Sequence, residues 1–378
     1  MPPFRRSSLK NQSEQLFAVT APGLEEICAA ELQALGMAAI RVVAGGVEFS
    51  GGLREIYLAN LWLRSASRVL VRLGAFKCRD FPDLYRKGVR LPWGRFLRPG
   101  TGVQVRASSQ RSRLIHSGRI AETLADAVNR ALGREIVPAD GPRQLVLARF
   151  EDDLCQLSVD SSGELLHRRG YRVETAFAPL RETLAAGILL KLGWDGSTPL
   201  VDPLCGSGTF VIEAALLAGN RAPGLSRPFS FMDWPGFRSG LLDALRLEAR
   251  RSERPVAVPL CGGEREPEAL AAAHRNAARA GIETLVQLRQ QELERFVAPP
   301  GRGLVVCNPP YGKRIGRDED LRPLFRSLGD VYRDRFRGWK GAFICPDDQL
   351  AKATALPLTR FATLHNGGIP VSLWTADL

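Results

Sequence analysis

The chain has 378 residues, of which 45% are apolar and 24% are charged, and its formal net charge is +12. This composition is that of an ordinary globular protein, and the length predicts two or three domains. No apolar run approaches the roughly 18 residues of a membrane-spanning helix, and the seven cysteines and four histidines show no disulfide or metal-ligand spacing. We therefore expect no membrane segment, no metal and a reducing, cytoplasmic environment.

The first 170 residues show irregularly mixed strand and helix patterns. Residues 1–15 are basic and lack the apolar segment of a signal peptide, so a disordered tail is expected. Beyond it the sequence predicts two hairpins, one turning at Gly45-Gly46 and the other at the acidic residues 151–153. This order of strand and helix patterns is typical of a compact α+β region with antiparallel strand pairing.

The positive charge is concentrated in residues 61–134. This stretch holds sixteen Lys and Arg against four Asp and Glu, an excess as large as that of the whole chain. Such a concentration attracts a polyanion, and nucleic acid is the usual one. The alternative is a solvated basic face without a partner. The candidate RNA contacts within the stretch are Arg106, Arg111, Arg113 and Arg119.

After Gly170 strands alternate with helices, which predicts a doubly wound parallel sheet and a domain boundary near residues 165–175. Sheets of this type bind ligands beyond the carboxyl ends of their strands. Four such strand ends carry polar residues or glycines.

The first strand end is the loop DPLCGSGT, residues 202–209. Its glycines allow a tight turn and a close approach to a ligand, and the following helix would direct free N–H groups at it. No lysine follows the glycines and a third glycine is missing, so neither a P-loop nor a dinucleotide fingerprint is present. The candidate cofactor-binding residues here are Asp202, Pro203, Cys205, Gly206, Ser207, Gly208 and Thr209.

The second and third strand ends carry acids. Glu264 is placed to accept hydrogen bonds from a ribose diol, with Arg265 as a neighbouring cofactor-binding candidate. Its alternative role is to favour the dipole of the next helix, as is also expected of Glu266. At the third strand end, either Glu292 or Gln291 is a candidate to contact an adenine amino group.

The fourth strand ends on Asn308-Pro309-Pro310-Tyr311. The exocyclic amine of a nucleobase is a poor nucleophile because its lone pair is delocalised into the ring. The Asn308 amide oxygen and the Pro309 carbonyl can both accept hydrogen bonds from that amine and orient its lone pair towards an electrophile. Tyr311 can stack on an extruded base. Together with the glycine loop and the two acids, these residues indicate S-adenosyl-L-methionine as cofactor.

Two further features allow alternatives. Cys205 and Cys307 flank the site, and a pyrimidine-C5 methyltransferase would require a cysteine nucleophile. Both cysteines lie in apolar runs, which favours small buried residues. The stretch FAPLRETLAAG, residues 177–187, either closes over the methionine end of the cofactor, with Thr183 facing inward, or is a plain surface helix.

This ordered set resembles a class I methyltransferase of the amino-methylating Asn-Pro-Pro-Tyr type. More narrowly, the chain is similar to the THUMP-domain 23S rRNA guanine-N2 methyltransferases, the RlmL-like proteins. The similarity is carried by LFAVTAPGLEEICAAEL, GGVEFSG, ASSQRSRLIHSGRIAETLADAV, HRRGYRVETAFAPLRETLAAGIL, DPLCGSGTFVIEAALLAGNRAPG and NPPYGKRIG. The resemblance implies an α/β protein with an N-terminal ferredoxin-like subdomain (16–60), a THUMP RNA-binding domain (61–168) and a Rossmann-like catalytic domain (169–378).

Where relatives usually carry aspartate at the ribose and adenine positions, this chain has Glu264 and Glu292. We also expect one methyltransferase unit, without the second activity that is fused in longer relatives. The implied reaction is N2-methylation of a guanosine in structured RNA, with 23S rRNA as the expected target. The alternatives are the same reaction on tRNA, N6-methylation of DNA adenine, and a non-catalytic RNA-binding assembly factor.

Overall fold

The computed structural model describes residues 13–133, 143–172, 180–311 and 320–378. Residues 1–12 of the expected basic tail, and residues 177–179 of the stretch expected to close over the cofactor, lie outside these ranges. The first strand begins at Glu14, so the last residues assigned to the tail belong to a sheet. Within the described ranges no helix has the length and apolarity needed to cross a bilayer.

The N-terminal half is built on one seven-stranded sheet in the order β2-β3-β1-β4-β7-β6-β5. Its elements are β1 (Glu14–Thr20), α1 (Glu25–Ala34), β2 (Ala38–Val43), β3 (Gly46–Gly51), α2 (Leu53–Trp62), β4 (Ala66–Lys77), α3 (Phe81–Val89), β5 (Gly102–Gln110), α4 (Ser117–Ala131), β6 (Arg143–Glu151) and β7 (Leu154–Asp160). The 12-residue strand β4 pairs with β1 through its first part and with β7 through its second. One long strand therefore joins the elements before and after it into a continuous sheet.

Two details of this sheet differ from the sequence-based expectation. Strand β5 runs parallel to β6, because the crossover that contains α4 returns the chain to the end of the sheet at which β5 begins. The strand pairing of this sheet is therefore not purely antiparallel. The first hairpin turns at residues 44–45 rather than at Gly45-Gly46, since Gly46 already pairs with Val43. A Cβ atom at Gly46 would collide with the carbonyl oxygen of Ala18, so this glycine permits close strand packing. The acidic turn of the second hairpin lies where it was predicted.

The C-terminal half contains a second seven-stranded sheet, in the order β10-β9-β8-β11-β12-β14-β13. Its elements are α5 (Glu182–Lys191), β8 (Leu200–Asp202), α6 (Thr209–Ala218), α7 (Ser239–Arg251), β9 (Leu260–Glu264), α8 (Pro267–Arg279), β10 (Gln287–Gln290), β11 (Leu304–Cys307), α9 (Arg322–Arg335), β12 (Lys340–Cys345), α10 (Asp348–Ala353), β13 (Thr359–Asn366) and β14 (Ile369–Asp377). Strands β8 to β12 are parallel, which confirms the doubly wound pattern. The hairpin β13–β14 adds an antiparallel edge that the sequence did not predict.

The two halves share their cores. Buried side chains of residues 222–249, in the catalytic half, belong to the apolar cluster of the N-terminal half. The rings of Tyr57 and Phe231 stack with their centroids 4.3 Å apart. In the opposite direction Leu24 is buried in the core of the catalytic half, where a Cβ at Gly187 would lie 2.6 Å from it. This reciprocal packing fixes the N-terminal region against the catalytic domain.

Candidate active site

Four strand ends converge at the carboxyl edge of the second sheet. Strand β8 pairs with β9 on one side and with β11 on the other, while β10 extends the sheet beyond β9. Because these strands are parallel, the last residues of β8 and β9, Asp202 and Glu264, lie at the same edge as Gln291 and Asn308, which follow β10 and β11. The structure thus brings together the four positions that the sequence proposed.

The glycine loop leaves open space above the first strand end. Gly206 and Gly208 adopt φ angles of +53° and +86°, which disfavour side chains with a Cβ. A Cβ at Gly206 would meet no atom of the described residues within 4 Å, whereas one at Gly208 would lie 3.2 Å from Ala273 of α8. Ser207 is buried, and its carbonyl accepts a hydrogen bond of 3.1 Å from the Asn276 amide. The loop is therefore held from beneath and is open at Gly206.

Glu264 connects the glycine loop to the helix α8. One of its carboxylate oxygens accepts the Gly206 N–H at 2.9 Å, and the other accepts the Glu266 N–H at 2.9 Å. Each oxygen has a second lone pair, so the carboxylate can still accept two hydroxyl groups. Arg265 points to solvent, where its Nε lies 3.1 Å from the Glu266 carboxylate. Glu266 itself precedes the first residue of α8, as expected.

Asp202 is a structural acid of the loop. Its side chain is buried and accepts the Leu204 N–H at 3.1 Å. Burial raises the pKa of this carboxyl well above its usual range, and the nearby charge of Glu264 adds to the effect. Pro203, the next residue, is also buried. These two residues end β8 rigidly and direct the chain into the glycine loop.

The two cysteines beside the site are neutral thiols. Cys205 and Cys307 are buried, and burial raises the pKa of each thiol well above its usual range. The Cys307 sulfur lies 3.3 Å from the Tyr332 hydroxyl. A thiol with a raised pKa is a poor nucleophile. The structure thus favours the packing role for both residues.

The third strand end presents two different side chains. Gln291 is half-buried, and its backbone N–H donates to the Glu264 carbonyl at 3.0 Å. A Cβ at Gly263 would lie 3.0 Å from the Gln291 amide nitrogen, so this amide lies against β9. Glu292 is exposed and precedes a short 3-10 turn, Leu293–Arg295. Of the two adenine candidates, Gln291 therefore lies against β9, whereas Glu292 is exposed to solvent.

The Asn-Pro-Pro-Tyr segment retains an unsatisfied acceptor. The Oδ1 atom of Asn308 is buried and has no hydrogen-bond partner within the described part of the chain. Leaving a buried acceptor unpaired costs about 1–3 kcal/mol, so this atom is a specific feature of the site. Pro309 is buried and Pro310 half-buried. Tyr311 packs against the core, and its hydroxyl accepts a 2.9 Å hydrogen bond from the Asn366 amide.

Arg172 joins the two helices that begin at the site, and the sequence reasoning missed it. Its guanidinium donates to the Leu180 carbonyl at 2.9 Å, lies 3.2 Å from the Glu182 carboxylate and donates to the Thr209 hydroxyl. Glu182 begins α5, on which Thr183 is buried, and Thr209 begins α6. No local pattern reveals these contacts, because they join three separate segments.

The linker before Arg172 is also fixed to α6. The Tyr171 hydroxyl donates to Glu213 at 3.0 Å, and a guanidinium nitrogen of Arg169 lies 3.5 Å from the other oxygen of that carboxylate. The Arg169 guanidinium also donates to the Arg64 carbonyl at 2.6 Å. All of these groups are buried. The helix that follows the glycine loop is thereby tied to the N-terminal half.

The candidate RNA contacts fall into two groups. Arg111 pairs with Glu151 at 2.7 Å and with Asp152 at 2.9 Å, on the acidic hairpin turn. Arg113 lies 3.9 Å from Asp153 of the same turn. Arg106, on β5, and Arg119, whose guanidinium covers the Phe81 ring at 4.2 Å, are exposed and have no acidic partner among the residues that the structure describes. In the four described segments no group of three or more potential ligands is arranged to hold a metal ion.

Three family models match the chain. An RlmL ferredoxin-like domain matches residues 15–70, a THUMP domain matches residues 78–160, and the methyltransferase domain described as RMKL-like matches residues 169–373, more than half of the chain. The chain belongs to the RMKL-like methyltransferase family. Its fold is therefore a class I methyltransferase domain preceded by ferredoxin-like and THUMP regions, as the sequence predicted.

Relatives within and around this family differ in length. A Synechocystis protein named "Putative RNA methyltransferase slr0064" is 36% identical, with 98% of this chain and 99% of that protein covered. The ribosomal RNA large subunit methyltransferase K/L of Syntrophotalea carbinolica is 38% identical over 96% of this chain. The match covers 53% of that relative, so the chain spans about half of its length.

Solved structures of similar proteins match almost the whole chain. The structure of SMU.472, described as "a putative methyltransferase complexed with SAH", has a TM-score of 0.88 and 30% identity, covering 98% of this chain and 99% of that one. A predicted N6-adenine-specific DNA methylase from Listeria monocytogenes has a TM-score of 0.87 and 32% identity, covering 97% of this chain and 96% of that one. Both resemble this RMKL-like family member over both of its halves.

Proposed function

We propose that the protein transfers a methyl group from S-adenosylmethionine to the exocyclic N2 amine of a guanine in structured RNA, with 23S rRNA as the target. The observation that carries this proposal is the Oδ1 atom of Asn308 at the carboxyl edge of the sheet, which is buried and has no hydrogen-bond partner among the described residues. An acceptor kept without a partner is suited to a donor that arrives with the substrate. An exocyclic amine is such a donor.

The carboxyl edge fits S-adenosylmethionine. When bound, this cofactor supplies an electrophilic methyl group. The open space at Gly206 admits a ligand close to the backbone, and Glu264 keeps lone pairs free for the ribose hydroxyls. We assign Gln291 or Glu292 to the adenine amine. The remaining loop candidates shape this pocket, namely Asp202, Pro203, Cys205, Ser207, Gly208 and Thr209, with Thr183 and Arg265 at its margins.

Asn308 and Pro309 orient the target amine. Their two oxygens accept its N–H bonds and keep its lone pair directed away from the ring. Because both acceptors are fixed by the strand end and by the prolines, little reorganisation is required during the reaction. The Tyr311 ring provides a stacking surface for the extruded base, which would otherwise lose its neighbours.

RNA is the favoured polymer. The THUMP match lies in residues 78–160, within and just beyond the stretch with the large excess of positive charge. Relatives carry names of ribosomal RNA methyltransferases, which supports rRNA over tRNA. The same acceptor pair would also orient the N6 amine of adenine, and one structural relative is named for that activity on DNA. The THUMP region favours RNA over this second candidate.

The decisive test uses the intact protein in single-turnover methyl transfer to unmodified 23S rRNA. Asn308→Ala should bind RNA and cofactor within a few-fold of wild type, while the transfer rate falls by roughly 10²–10³, as for loss of one preorganised contact. Asn308→Asp keeps an acceptor and should lose less. Cys307→Ala, a neighbouring substitution, should retain the wild-type rate.

Product analysis separates the remaining alternatives. Nucleoside mass spectrometry of the product should detect N2-methylguanosine. N6-methyladenosine or a methylated pyrimidine would overturn the guanine assignment, and transfer to tRNA but not to rRNA would overturn the target. A wild-type rate for Asn308→Ala would mean that the Asn-Pro-Pro-Tyr segment is only a stiff turn and that the Asn308 amide has no part in the reaction.

A further inference from the structure

The tip of the hairpin β13–β14 lies at the same sheet edge as Asn308. Strand β12 is parallel to β11, with Cys307 opposite Phe343. Strand β14 is antiparallel to β12, with Cys345 opposite Ser372, so β14 starts where β12 ends. This edge hairpin therefore turns beside the catalytic segment, although it lies some 60 residues later in the chain.

A direct hydrogen bond joins the hairpin to the catalytic segment. The Nδ2 of Asn366 donates to the Tyr311 hydroxyl at 2.9 Å, and both residues are half-buried. Asn366 is the last residue of β13 and pairs with Ile369 across Gly367-Gly368. These glycines adopt φ angles of +62° and +89°, as a tight two-residue turn requires. The turn fixes the backbone of Asn366, so its amide is a donor held in place.

This bond constrains the Tyr311 ring at two points. The ring packs against the core cluster of the catalytic domain, and its hydroxyl is held from the hairpin side. A tyrosine side chain has only two torsions, so these contacts define the ring plane before any base arrives. Ile369, the first residue after the turn, is 40% exposed.

We propose that Asn366 is a positioning residue that holds Tyr311 in its base-stacking orientation, which makes the tip of the β13–β14 hairpin a wall of the target-base site. This inference rests on the proposed function, because it assigns the ring to an extruded base. The gain is one of preorganisation, since a ring that is already oriented loses little freedom when the base stacks.

The test is a double-mutant cycle in single-turnover methyl transfer to unmodified 23S rRNA. Asn366→Leu should slow transfer about tenfold, the effect of one hydrogen bond of about 1.4 kcal/mol. Asn366→Asp should recover most of the rate, because the phenol can donate to a carboxylate. In the Tyr311→Phe background, which lacks the hydroxyl, the leucine and aspartate variants should be equally slow.

Two controls exclude a general effect on the fold. The affinity for S-adenosylhomocysteine and the thermal unfolding midpoint should stay at the wild-type values in all five variants, the three single and the two double ones. Thr363→Ala, at an exposed site of β13, should keep the wild-type rate. If Asn366→Leu unfolds, the comparison of Tyr311→Phe with wild type still measures the same contact from the other side.

The outcomes separate this inference from the proposed function. A wild-type rate for both Asn366→Leu and Tyr311→Phe, or independent additive losses in the double variant, would overturn the positioning role. Parallel losses of rate and cofactor affinity would also overturn it, since they indicate a disturbed fold. Asn308→Ala is measured beside these variants: if it alone is slow, only the positioning role fails, and if it is fully active, the proposed function fails.

Discussion

The indole N–H of Trp234 donates a 2.8 Å hydrogen bond to the side-chain oxygen of Gln144, which joins the catalytic half of the chain to the N-terminal sheet. The same oxygen accepts the Ser230 hydroxyl at 3.0 Å, and the Gln144 amide nitrogen donates to the Asp160 carbonyl at 2.7 Å. Gln144 is only 3% exposed. A buried amide with all these partners makes the interface specific as well as apolar.

Arg227 reinforces this junction from the catalytic side. Its guanidinium donates to the carbonyl oxygen of the neighbouring Pro228 at 3.4 Å. It also donates, over distances of 2.6 to 3.3 Å, to four backbone carbonyls of the linker, those of Ser162, Glu164, Leu165 and Arg168. Trp234 also packs edge-on against Phe96, with ring centroids 4.9 Å apart. The segment 222–249 thus completes the N-terminal core.

The Gln144 contact gives a first prediction. Gln144→Leu leaves the Trp234 N–H and the Asp160 carbonyl without this partner, so the free energy of unfolding should fall by about 2–3 kcal/mol. Gln104→Leu, at an exposed site on the neighbouring strand β5, should change it by less than about 0.5 kcal/mol. Urea denaturation followed by tryptophan fluorescence measures both. Equal stability of the two variants would contradict a structural role for the buried amide.

That the candidate residues meet at one sheet edge could be predicted from the sequence, because they lie in short contiguous stretches. A glycine loop, an acid and Asn-Pro-Pro-Tyr each follow an apolar run, and parallel strands carry such ends to one edge. Gln291 and Glu292 could not be separated in this way. The position of the Gln291 side chain depends on packing against Gly263, which belongs to another strand.

The junction between the halves could not be predicted, because it depends on contacts between distant segments. Residues 222–249 carry an apolar pattern that fits the catalytic domain equally well, and nothing local indicates that Phe231 stacks on Tyr57. Arg172 likewise stands in a basic run that is typical of a solvated surface. The parallel pairing of β5 with β6 follows from the crossover of α4, which a hairpin pattern does not encode.

The open space at Gly206 gives a second prediction. Gly206→Val places a branched side chain where we assign the cofactor and where no atom of the described part of the chain lies within 4 Å, so the affinity for S-adenosylhomocysteine should fall by at least about 100-fold. Gly133→Val is a matched control, because Gly133 also has a positive φ, +60°, and open surroundings, but ends α4 in the other half. Isothermal titration calorimetry compares them. If the two variants bind equally well, the loop does not hold the cofactor.

The ion pairs of the THUMP region give a third prediction. Arg106 is exposed, whereas Arg111 is already paired with acids, so Arg106 is the more available for phosphate. Arg106→Gln should weaken RNA binding and reduce the slope of log K against log salt by about 0.9, the value for one phosphate contact. The double variant Arg111→Gln/Asp152→Asn keeps the net charge and should leave that slope unchanged.

Fluorescence anisotropy with labelled rRNA fragments over a series of salt concentrations measures both variants. The comparison depends on the slope rather than on a single affinity, because the slope counts released counterions. An equal loss of slope in the two variants would show that Arg111 contacts RNA despite its acidic partners. An unchanged slope for Arg106→Gln would contradict a contact between RNA and this residue of β5.

His167, in the linker between the halves, gives the last prediction. Burial is the main cause, and together with the charges of Arg181, Arg169, Arg168 and Arg172 it lowers the pKa of this imidazole to about 4. Its Nδ1 is buried and lacks a partner among the described residues. In the unfolded chain the pKa returns to about 6.5. Between these values the unfolded state binds more protons, so stability is present above pH 6.5 and is lost as the pH falls towards 4.

The pH dependence of the free energy of unfolding should be measured as a difference between wild type and a His167 variant, because other groups titrate in the same pH range. Relative to His167→Gln, the free energy of unfolding of the wild type should decline by about 1–2 kcal/mol between pH 7 and pH 4.5, less than the full linkage value because the ring is partly exposed. His116→Gln, at an exposed position, controls for the substitution itself. Urea denaturation at four pH values suffices. A constant difference between wild type and His167→Gln would mean that the imidazole is as readily protonated in the folded linker as in the unfolded chain.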